Sequence, residues 1–344
     1  MIETRRILND LLNHSDLDAT TMEALFGAIM DEVLEPAQVA GLLVALRAKG
    51  ESGSEVAAAA RAMRGRARAV VAPIGAIDTC GTGGDGAETI NISTASAVVA
   101  AAGGVPVAKH GNRSVSSRCG SADVLEALGV RLDLGVEALA TMLDEVGIAF
   151  LFAQQLHPAM RAVVPIRRAL GVRTVFNLLG PLTNPAGVRR QVIGVWGRDV
   201  QSLVAAALAE LGAVHALVVH SDDGLDELSV TAPTAVIEVR DGSVVGSWTV
   251  DPADLGITTV DRDSVRGGDV ETNARRLRAI LAGDEVSAAA DAVVVNAAAA
   301  LYVGDAVDSL AAGVVRAREL ISSGAAGATL ETLIRRSTEL ADHG

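Results

Sequence analysis

Aromatic side chains, cysteines and long apolar runs are all scarce in this chain of 344 residues. Half of the residues are hydrophobic but only 2% are aromatic, so the core must consist of alanine, valine and leucine, which bury less area per residue. The two cysteines, Cys80 and Cys119, are too few for a disulfide framework, which favours a reducing cytoplasm. No apolar run reaches the roughly 20 residues of a membrane span. We therefore expect a soluble, cytoplasmic protein.

Positive charge is also in deficit. The chain has 29 Lys and Arg against 42 Asp and Glu, which gives a net charge of −13. This balance argues against nucleic acid or an anionic membrane as a general partner, although it leaves room for local basic pockets. The length is sufficient for two domains.

Hydrophobic periodicity divides the chain near residue 70. Four short helical patterns fill residues 1–70, and β-branched runs then alternate with alanine-rich helices. We predict a small all-helical domain at 1–70 and a large α/β domain at 71–344, with a central, mostly parallel sheet flanked by helices. A helical segment at about 158–171 is predicted to return to the helical domain as a hinge. The predicted strands are 75–80, 105–109, 148–152, 191–196, 216–220 and 235–240. Helices are predicted at 94–102, 121–128, 136–146, 200–211, 273–282, 287–301, 307–323 and 329–341.

The glycine-rich stretch at 81–86 matches the pattern G-x-G-x-x-G. A dinucleotide-binding fold needs a helix at once and an acidic residue about 20 positions later, and neither is present. A Walker A loop fails because no Lys-Ser or Lys-Thr follows the glycines. The alternatives that remain are a plain strand-to-helix turn and a nest of backbone N–H groups for an anion.

Polar residues after this loop favour the anion site. Asn91, Ser93 and Thr94 precede or open a helix whose free N–H groups attract phosphate, although Ser93 also suits a plain N-cap. Lys109 offers a point charge for pyrophosphate and Asn112 a polar contact, both after an apolar strand. A solvated loop is the alternative for a lone lysine.

A separate acidic segment follows the strand predicted to end at residue 220. Four carboxylates lie within residues 222–227, and they repel one another unless they are solvated or share a cation. A solvated loop is the usual explanation for such a cluster. At the carboxyl end of a strand in an anion-binding domain, however, Asp226 and Glu227 are better interpreted as Mg²⁺ ligands.

The segment between these two sites carries arginines and a proline-rich turn. Arg161, Arg167 and Arg168 can grip a substrate carboxylate, or they can form a solvated helix face. The run Gly-Pro-Leu-Thr-Asn-Pro at 180–185 is predicted to be a rigid, closely packed turn.

Taken together and in order, these blocks resemble the anthranilate phosphoribosyltransferases of tryptophan biosynthesis. The similarity rests on 81–85, 91–94, 109–129, 176–185, 226–227 and 267–274, and it extends over nearly the whole chain. The family implies a site in the cleft between the two domains, Mg²⁺ as cofactor and a homodimer formed through the helical domain.

The resemblance also assigns substrates to residues. For 5-phosphoribosyl diphosphate it implies Gly81, Gly83, Gly84, Asp85, Thr89, Asn91, Ser93, Thr94, Lys109, Ser117, Cys119 and Ser121. For anthranilate it implies Gly81, His110, Asn112, His157 and Arg167, with Arg167 on the carboxylate. Ser93, Asp226 and Glu227 are expected around Mg²⁺, and Lys109 acts electrostatically with no classical acid or base.

Two other functions stay open at this point. A pyrimidine nucleoside phosphorylase has a similar architecture but uses phosphate without Mg²⁺, so the pair Asp226 and Glu227 counts against it. A relative that lost catalysis and binds nucleic acid should have a basic surface, and the net charge of −13 counts against that.

Overall fold

The computed structural model describes residues 2–114 and 118–342. The chain opens with four helices, which are α1 (Thr4–Leu12), α2 (Ala19–Met30), α3 (Pro36–Lys49) and α4 (Gly53–Arg64). Their starts follow local chemistry: Asp18 caps α2 through the Thr21 N–H, Pro36 is the first residue of α3, and Ser52 forms a capping box with Glu55. The predicted helical character of this domain is confirmed, whereas its boundary at residue 70 stays a prediction.

The large domain is built on a seven-stranded sheet of order β3-β2-β1-β4-β5-β6-β7. Strands β1 to β5 are parallel, and β6 and β7 are antiparallel. The strands are β1 (Ile77–Thr79), β2 (Val107–Gly111), β3 (Ile148–Phe152), β4 (Arg190–Gly194), β5 (His215–Ser221), β6 (Thr234–Arg240) and β7 (Ser243–Val250). The mostly parallel sheet is thus confirmed. Strand β7 was not predicted, because it is a largely exposed edge strand that shows no buried face in its sequence.

Eleven further α-helices flank or connect these strands in the described part of the large domain. They are α5 (Ile92–Ala102), α6 (Ser121–Leu128), α7 (Val136–Glu145), α8 (Ala153–Leu156), α9 (Met160–Leu170), α10 (Phe176–Leu182), α11 (Arg198–Glu210), α12 (Val270–Ala282), α13 (Ala288–Val303), α14 (Leu310–Ser322) and α15 (Ala325–Asp342). Part of the predicted proline-rich turn is helical, since α10 includes Pro181.

Two hydrophobic clusters place the domains against each other. One packs α5 and α13 on the sheet, while the other joins the four N-terminal helices to α9, α10, α11 and one face of β4 and β5. Helix α9 contacts α2 and α3, and α4 contacts α10 and α11. The helical domain therefore packs against α9, α10 and α11 of the large domain. None of the helices in the described ranges combines the length and apolarity needed to cross a membrane.

Candidate active site

The strand order reverses direction between β1 and β4, which lie side by side although β2 and β3 come between them in the chain. Ligands of open α/β sheets bind beyond the carboxyl ends of strands at such a switch point. A recess lies there, lined among others by Thr79, Ser93, Gly194, Asp226 and Glu227. The fold thus brings together the two sites that the sequence predicted separately.

The glycine-rich loop closes over this recess. Gly83 and Gly84 have φ values of 64° and 79°, a region that glycine adopts readily. At Gly81 the limit is space, since a Cβ there would lie 2.6 Å from the Asp226 carboxylate. The Thr82 N–H donates to Gly194 O at 2.8 Å, which anchors the loop to the end of β4. The long segment 80–91 between β1 and α5 also differs from the tight turn of a dinucleotide fold.

Helix α5 begins one residue earlier than the suggested Ser93 cap. Ser93 lies inside the helix and Asn91 occupies the N-cap position, so the alternative that Ser93 is the N-cap is wrong. The Asn91 side chain makes no cap hydrogen bond. Instead Asn91 Nδ2 donates to Cys119 O at 3.1 Å, and Asn273 Nδ2 donates to Asn91 Oδ1 at 3.1 Å. The Thr94 hydroxyl is buried without a partner among the described residues. Asn91 therefore links three separate parts of the chain.

The segment that follows the glycine-rich loop contacts the chain around Gly267. Thr89 forms a β-bridge with Arg266, and the Gly267 N–H donates to Glu88 O at 2.8 Å. A Cβ on Gly267 would approach Thr89 O to 2.6 Å, so this position requires glycine. Thr89 and the block at 267–274 thus belong to one support.

Lys109 lies at the floor of the site, on β2 and almost fully buried. Its Nζ donates to Thr79 O at 2.6 Å and lies 3.4 Å from Ser93 Oγ. The ammonium group also opposes the rise in the pKa of Glu227. Lys109 therefore places a buried positive charge beside Ser93, which lines the recess.

The acidic segment divides into structural and recess-facing carboxylates. Asp222 pairs with Arg198, and Asp223 accepts hydrogen bonds from Ser229 and Thr231. Burial and the neighbouring Asp85 carboxylate raise the pKa of Asp226 to about 7. Burial and Asp226 raise the pKa of Glu227 well above its usual value. Three carboxylates thus crowd one recess, an arrangement that a divalent cation would relieve.

The two histidines predicted for the site, His110 and His157, are buried and lie side by side. The rings of His110 and His157 are 5.1 Å apart, and neither Nε2 atom has a partner in the described part of the chain. Burial lowers the pKa of His110 to about 3 and that of His157 to about 4, so both are neutral at pH 7. Because His110 Nδ1 lies 3.1 Å from Gly180 O, its proton belongs on Nδ1 and its Nε2 is an acceptor.

Several of the remaining predicted residues contact one another after β2 or its neighbours. Ser121 Oγ donates to Asn112 O at 3.2 Å, and Asn112 Oδ1 accepts from Gln154 at 3.2 Å. Cys119 is buried, and burial raises its thiol pKa to about 11, while its carbonyl accepts from Asn91. Ser117 lies outside the described residues.

Arg167 projects from α9 and is partly buried, which lowers the pKa of its guanidinium. The guanidinium lies 5.7 Å from the ring centroid of Phe176, at the start of α10. It forms no ion pair within residues 2–114 and 118–342. The Arg167 guanidinium can thus bind the carboxylate of a ligand.

Sequence reasoning missed two residues that hold these parts in place. Asn296 on α13 accepts from the Leu228 N–H at 3.0 Å and donates to Leu228 O at 2.8 Å, directly after Glu227. Arg173 donates to Gly84 O at 2.7 Å. No local sequence signal identifies either residue, because each contact joins positions far apart in the chain.

A further cluster groups Asp78, Cys80 and His110, whose potential ligand atoms lie within 4.8 Å of one another. It is a poor metal site, because Asp78 already accepts from the His110 N–H and from Asn184. Burial also raises the pKa of the Cys80 thiol far above its usual value. We interpret Asp78 as a buried support for β2.

Comparison with known families identifies the two domains. Residues 5–67 match the family described as "Glycosyl transferase family, helical bundle domain", and residues 74–327 match "Glycosyl transferase family, a/b domain". The anthranilate phosphoribosyltransferase of Thermomicrobium roseum is 53% identical over 95% of this chain and 94% of its own length. That of Roseiflexus sp. (strain RS-1) is 52% identical over 89% of this chain and 90% of its own. The chain belongs to the anthranilate phosphoribosyltransferase family.

Solved structures of anthranilate phosphoribosyltransferases agree with this assignment. The Thermus thermophilus enzyme superposes with a TM-score of 0.92 at 44% identity, over 96% of this chain and 99% of that one. The Saccharomyces cerevisiae enzyme in complex with PRPP and Mg superposes with a TM-score of 0.90 at 27% identity, over 98% of both chains. The predicted family, fold class and glycosyltransferase class are confirmed.

Proposed function

We propose that this chain transfers the 5-phosphoribosyl group from 5-phospho-α-D-ribose 1-diphosphate to the amine of anthranilate. The products are N-(5-phosphoribosyl)anthranilate and diphosphate, in L-tryptophan biosynthesis. The observation that carries this proposal is the meeting of the glycine-rich loop, Lys109 and the pair Asp226 and Glu227 at one switch point. Relatives about 50% identical over nearly the full chain carry the name of this activity.

The diphosphate and ribose are assigned to the glycine-rich loop and its surroundings. Backbone N–H groups of a loop rich in left-handed glycines can face phosphate oxygens, and the start of α5 adds further donors. The ammonium group of Lys109 supplies positive charge that compensates the negative charge of the diphosphate. This assignment also includes Thr89, Asn91, Ser93, Thr94, Ser117, Cys119 and Ser121, of which Cys119 takes part through its backbone.

Mg²⁺ is assigned to Asp226 and Glu227, with Ser93 beside them. The crowding of their carboxylates with Asp85, which raises the pKa values of Asp226 and Glu227, fits a site for a hard divalent cation. When bound, the ion would neutralise negative charge on the diphosphate. A Saccharomyces cerevisiae relative was solved in complex with PRPP and Mg.

Anthranilate is assigned to the region of the two histidines and Arg167. Arg167 would bind its carboxylate, and His110, Asn112, His157 and Gly81 would line its path. The neutral imidazoles offer unpaired Nε2 atoms, and a Saccharomyces cerevisiae relative was solved with 4-fluoroanthranilate. An aromatic amine is already neutral at pH 7, so the nucleophile needs no strong general base.

The protein's part in the reaction is then electrostatic and positional. Lys109 and the loop N–H groups stabilise the negative charge that develops on the departing diphosphate. Closure of the helical domain about the α9 hinge would bring the amine to ribose C1 and exclude water, which otherwise hydrolyses the sugar diphosphate. The reaction proceeds with inversion at C1.

The assembly and location follow from the same family assignment. We propose a homodimer formed through the helical domain, in the cytoplasm, without a nucleic-acid or membrane partner. Sedimentation of the purified protein tests the dimer, which should weigh twice the 35.1 kDa of one chain.

The decisive experiment follows anthranilate fluorescence after purified protein is mixed with 5-phosphoribosyl diphosphate, in Mg²⁺ or in EDTA. We expect loss of anthranilate that depends on Mg²⁺, with one diphosphate released per anthranilate consumed. No loss from folded protein with Mg²⁺ present would refute the proposal, and nucleosides with phosphate would be the next substrates to test.

A further inference from the structure

Arg173 connects the hinge region to the glycine-rich loop. It lies between α9 and α10, and its Nη2 donates to Gly84 O at 2.7 Å. The same guanidinium lies 4.5 Å from the ring centroid of Trp196, which follows β4. One side chain therefore touches the loop and an aromatic platform at the end of the central sheet.

The contact between Arg173 and the loop is a close one. A Cβ on Gly84 would lie 3.2 Å from Arg173 Nη2, and the residue has a φ of 79°. The neighbouring Gly83 N–H is held by Asp226 at 2.8 Å. Two side chains from distant segments thus fix adjacent residues of the loop.

The contact also sets the direction of a donor. In a trans peptide the C=O and the following N–H point in opposite directions. A hydrogen bond from Arg173 to Gly84 O therefore fixes the orientation of the Asp85 N–H, which is one of the loop's donors for an anion. Across the ranges 2–114 and 118–342, Arg173 forms no ion pair, so no neighbouring carboxylate neutralises its charge beside the loop.

We propose that Arg173 is a positioning residue that holds the glycine-rich loop in its diphosphate-binding shape and links it to the hinge. This inference rests on the proposed function, because it takes the loop as the diphosphate site. A movement of the α9 hinge would then reach Gly84 through Arg173, which follows α9 in the chain, so that domain closure and diphosphate binding are coupled.

The test compares Arg173→Met with Arg173→Lys in a Trp248→Phe background, which leaves Trp196 as the single tryptophan. The matched control is Arg189→Met, since Arg189 is also an exposed arginine that donates to a glycine carbonyl, Gly212 O, at 2.6 Å. Affinity for 5-phosphoribosyl diphosphate with Mg²⁺ is measured by calorimetry and by Trp196 fluorescence. Steady-state kinetics give the KM of each substrate.

We expect Arg173→Met to weaken binding of 5-phosphoribosyl diphosphate about tenfold, as for loss of one charged hydrogen bond. Its KM for that substrate should rise far more than its KM for anthranilate, with a Tm like that of Arg189→Met. Arg173→Lys should fall between it and the parent. Equal affinities in Arg173→Met and the parent, or an equal rise in both KM values, would overturn the role of Arg173. Failure of the parent itself to bind 5-phosphoribosyl diphosphate would instead refute the proposed function.

Discussion

The Gly83 backbone N–H donates to Asp226 Oδ2 at 2.8 Å, across 143 positions of sequence. A donor assigned to the diphosphate is thus held by a carboxylate assigned to Mg²⁺. On binding, the Gly83 N–H would contact the diphosphate and the Asp226 carboxylate would contact Mg²⁺. We therefore expect the metal and the sugar diphosphate to bind together.

Asp226→Asn tests this relationship. The amide keeps an oxygen for the Gly83 N–H but removes a charge from the cation site, and charge count tunes affinity for hard cations. We expect the gain in diphosphate affinity that Mg²⁺ provides to fall by about tenfold or more. Calorimetry of diphosphate with Mg²⁺ and with EDTA measures it. Asp222→Asn is the control, since Asp222 pairs with Arg198 outside the recess. An unchanged gain would remove Asp226 from the metal site.

Arg167→Ala tests the assignment of the anthranilate carboxylate. Charge-assisted hydrogen bonds contribute about 1.5–3 kcal/mol, so the KM for anthranilate should rise roughly 10- to 100-fold. The KM for 5-phosphoribosyl diphosphate should change little. Arg316→Ala, on an exposed face of α14, is the control. If both KM values rose equally, the residue would not be a carboxylate ligand.

His157 gives a prediction about pH and stability. Burial holds its pKa near 4, below the value of about 6.5 in the unfolded chain. The unfolded state therefore binds more protons between these values, and the contribution of His157 to stability is full above pH 6.5 and is lost as the pH falls toward 4. We expect the free energy of unfolding, measured with urea, to fall less between pH 7 and pH 5 in His157→Gln than in the parent. Equal losses would show that His157 is not held neutral.

The sequence was sufficient for the elements whose signals are local. The glycines and the acidic pair each follow a strand, Lys109 lies within β2, and the parallel order of β1 to β5 brings them together. Strand β7 was missed because it has no buried face. Helix α10 was missed because Pro181, which lies inside it, is typical of a turn. Arg173 and Asn296 act on backbone atoms of distant segments, so no spacing rule could find them. Their roles depend on which elements become neighbours in the fold.

Asn296 provides the last prediction, because it supports the acidic pair without being a ligand. Its amide accepts from the Leu228 N–H and donates to Leu228 O, both buried, directly after Glu227. Asn296→Leu leaves these two backbone groups unpaired, at a cost of about 1–3 kcal/mol each in the free energy of unfolding. It should also weaken the Mg²⁺ dependence of diphosphate binding, since the chain directly after Glu227 loses its anchor at Leu228.

Gln201→Leu separates these two effects. Gln201 is likewise a buried amide that donates to two backbone carbonyls, Val218 O and Ala235 O, at 2.8 Å each, but it does not contact the acidic segment. Urea unfolding should show a loss of stability in both variants, whereas calorimetry should show a weaker Mg²⁺ effect only in Asn296→Leu. If both variants lowered the Mg²⁺ effect equally, general destabilisation would explain the result and Asn296 would have no specific hold on the carboxylates.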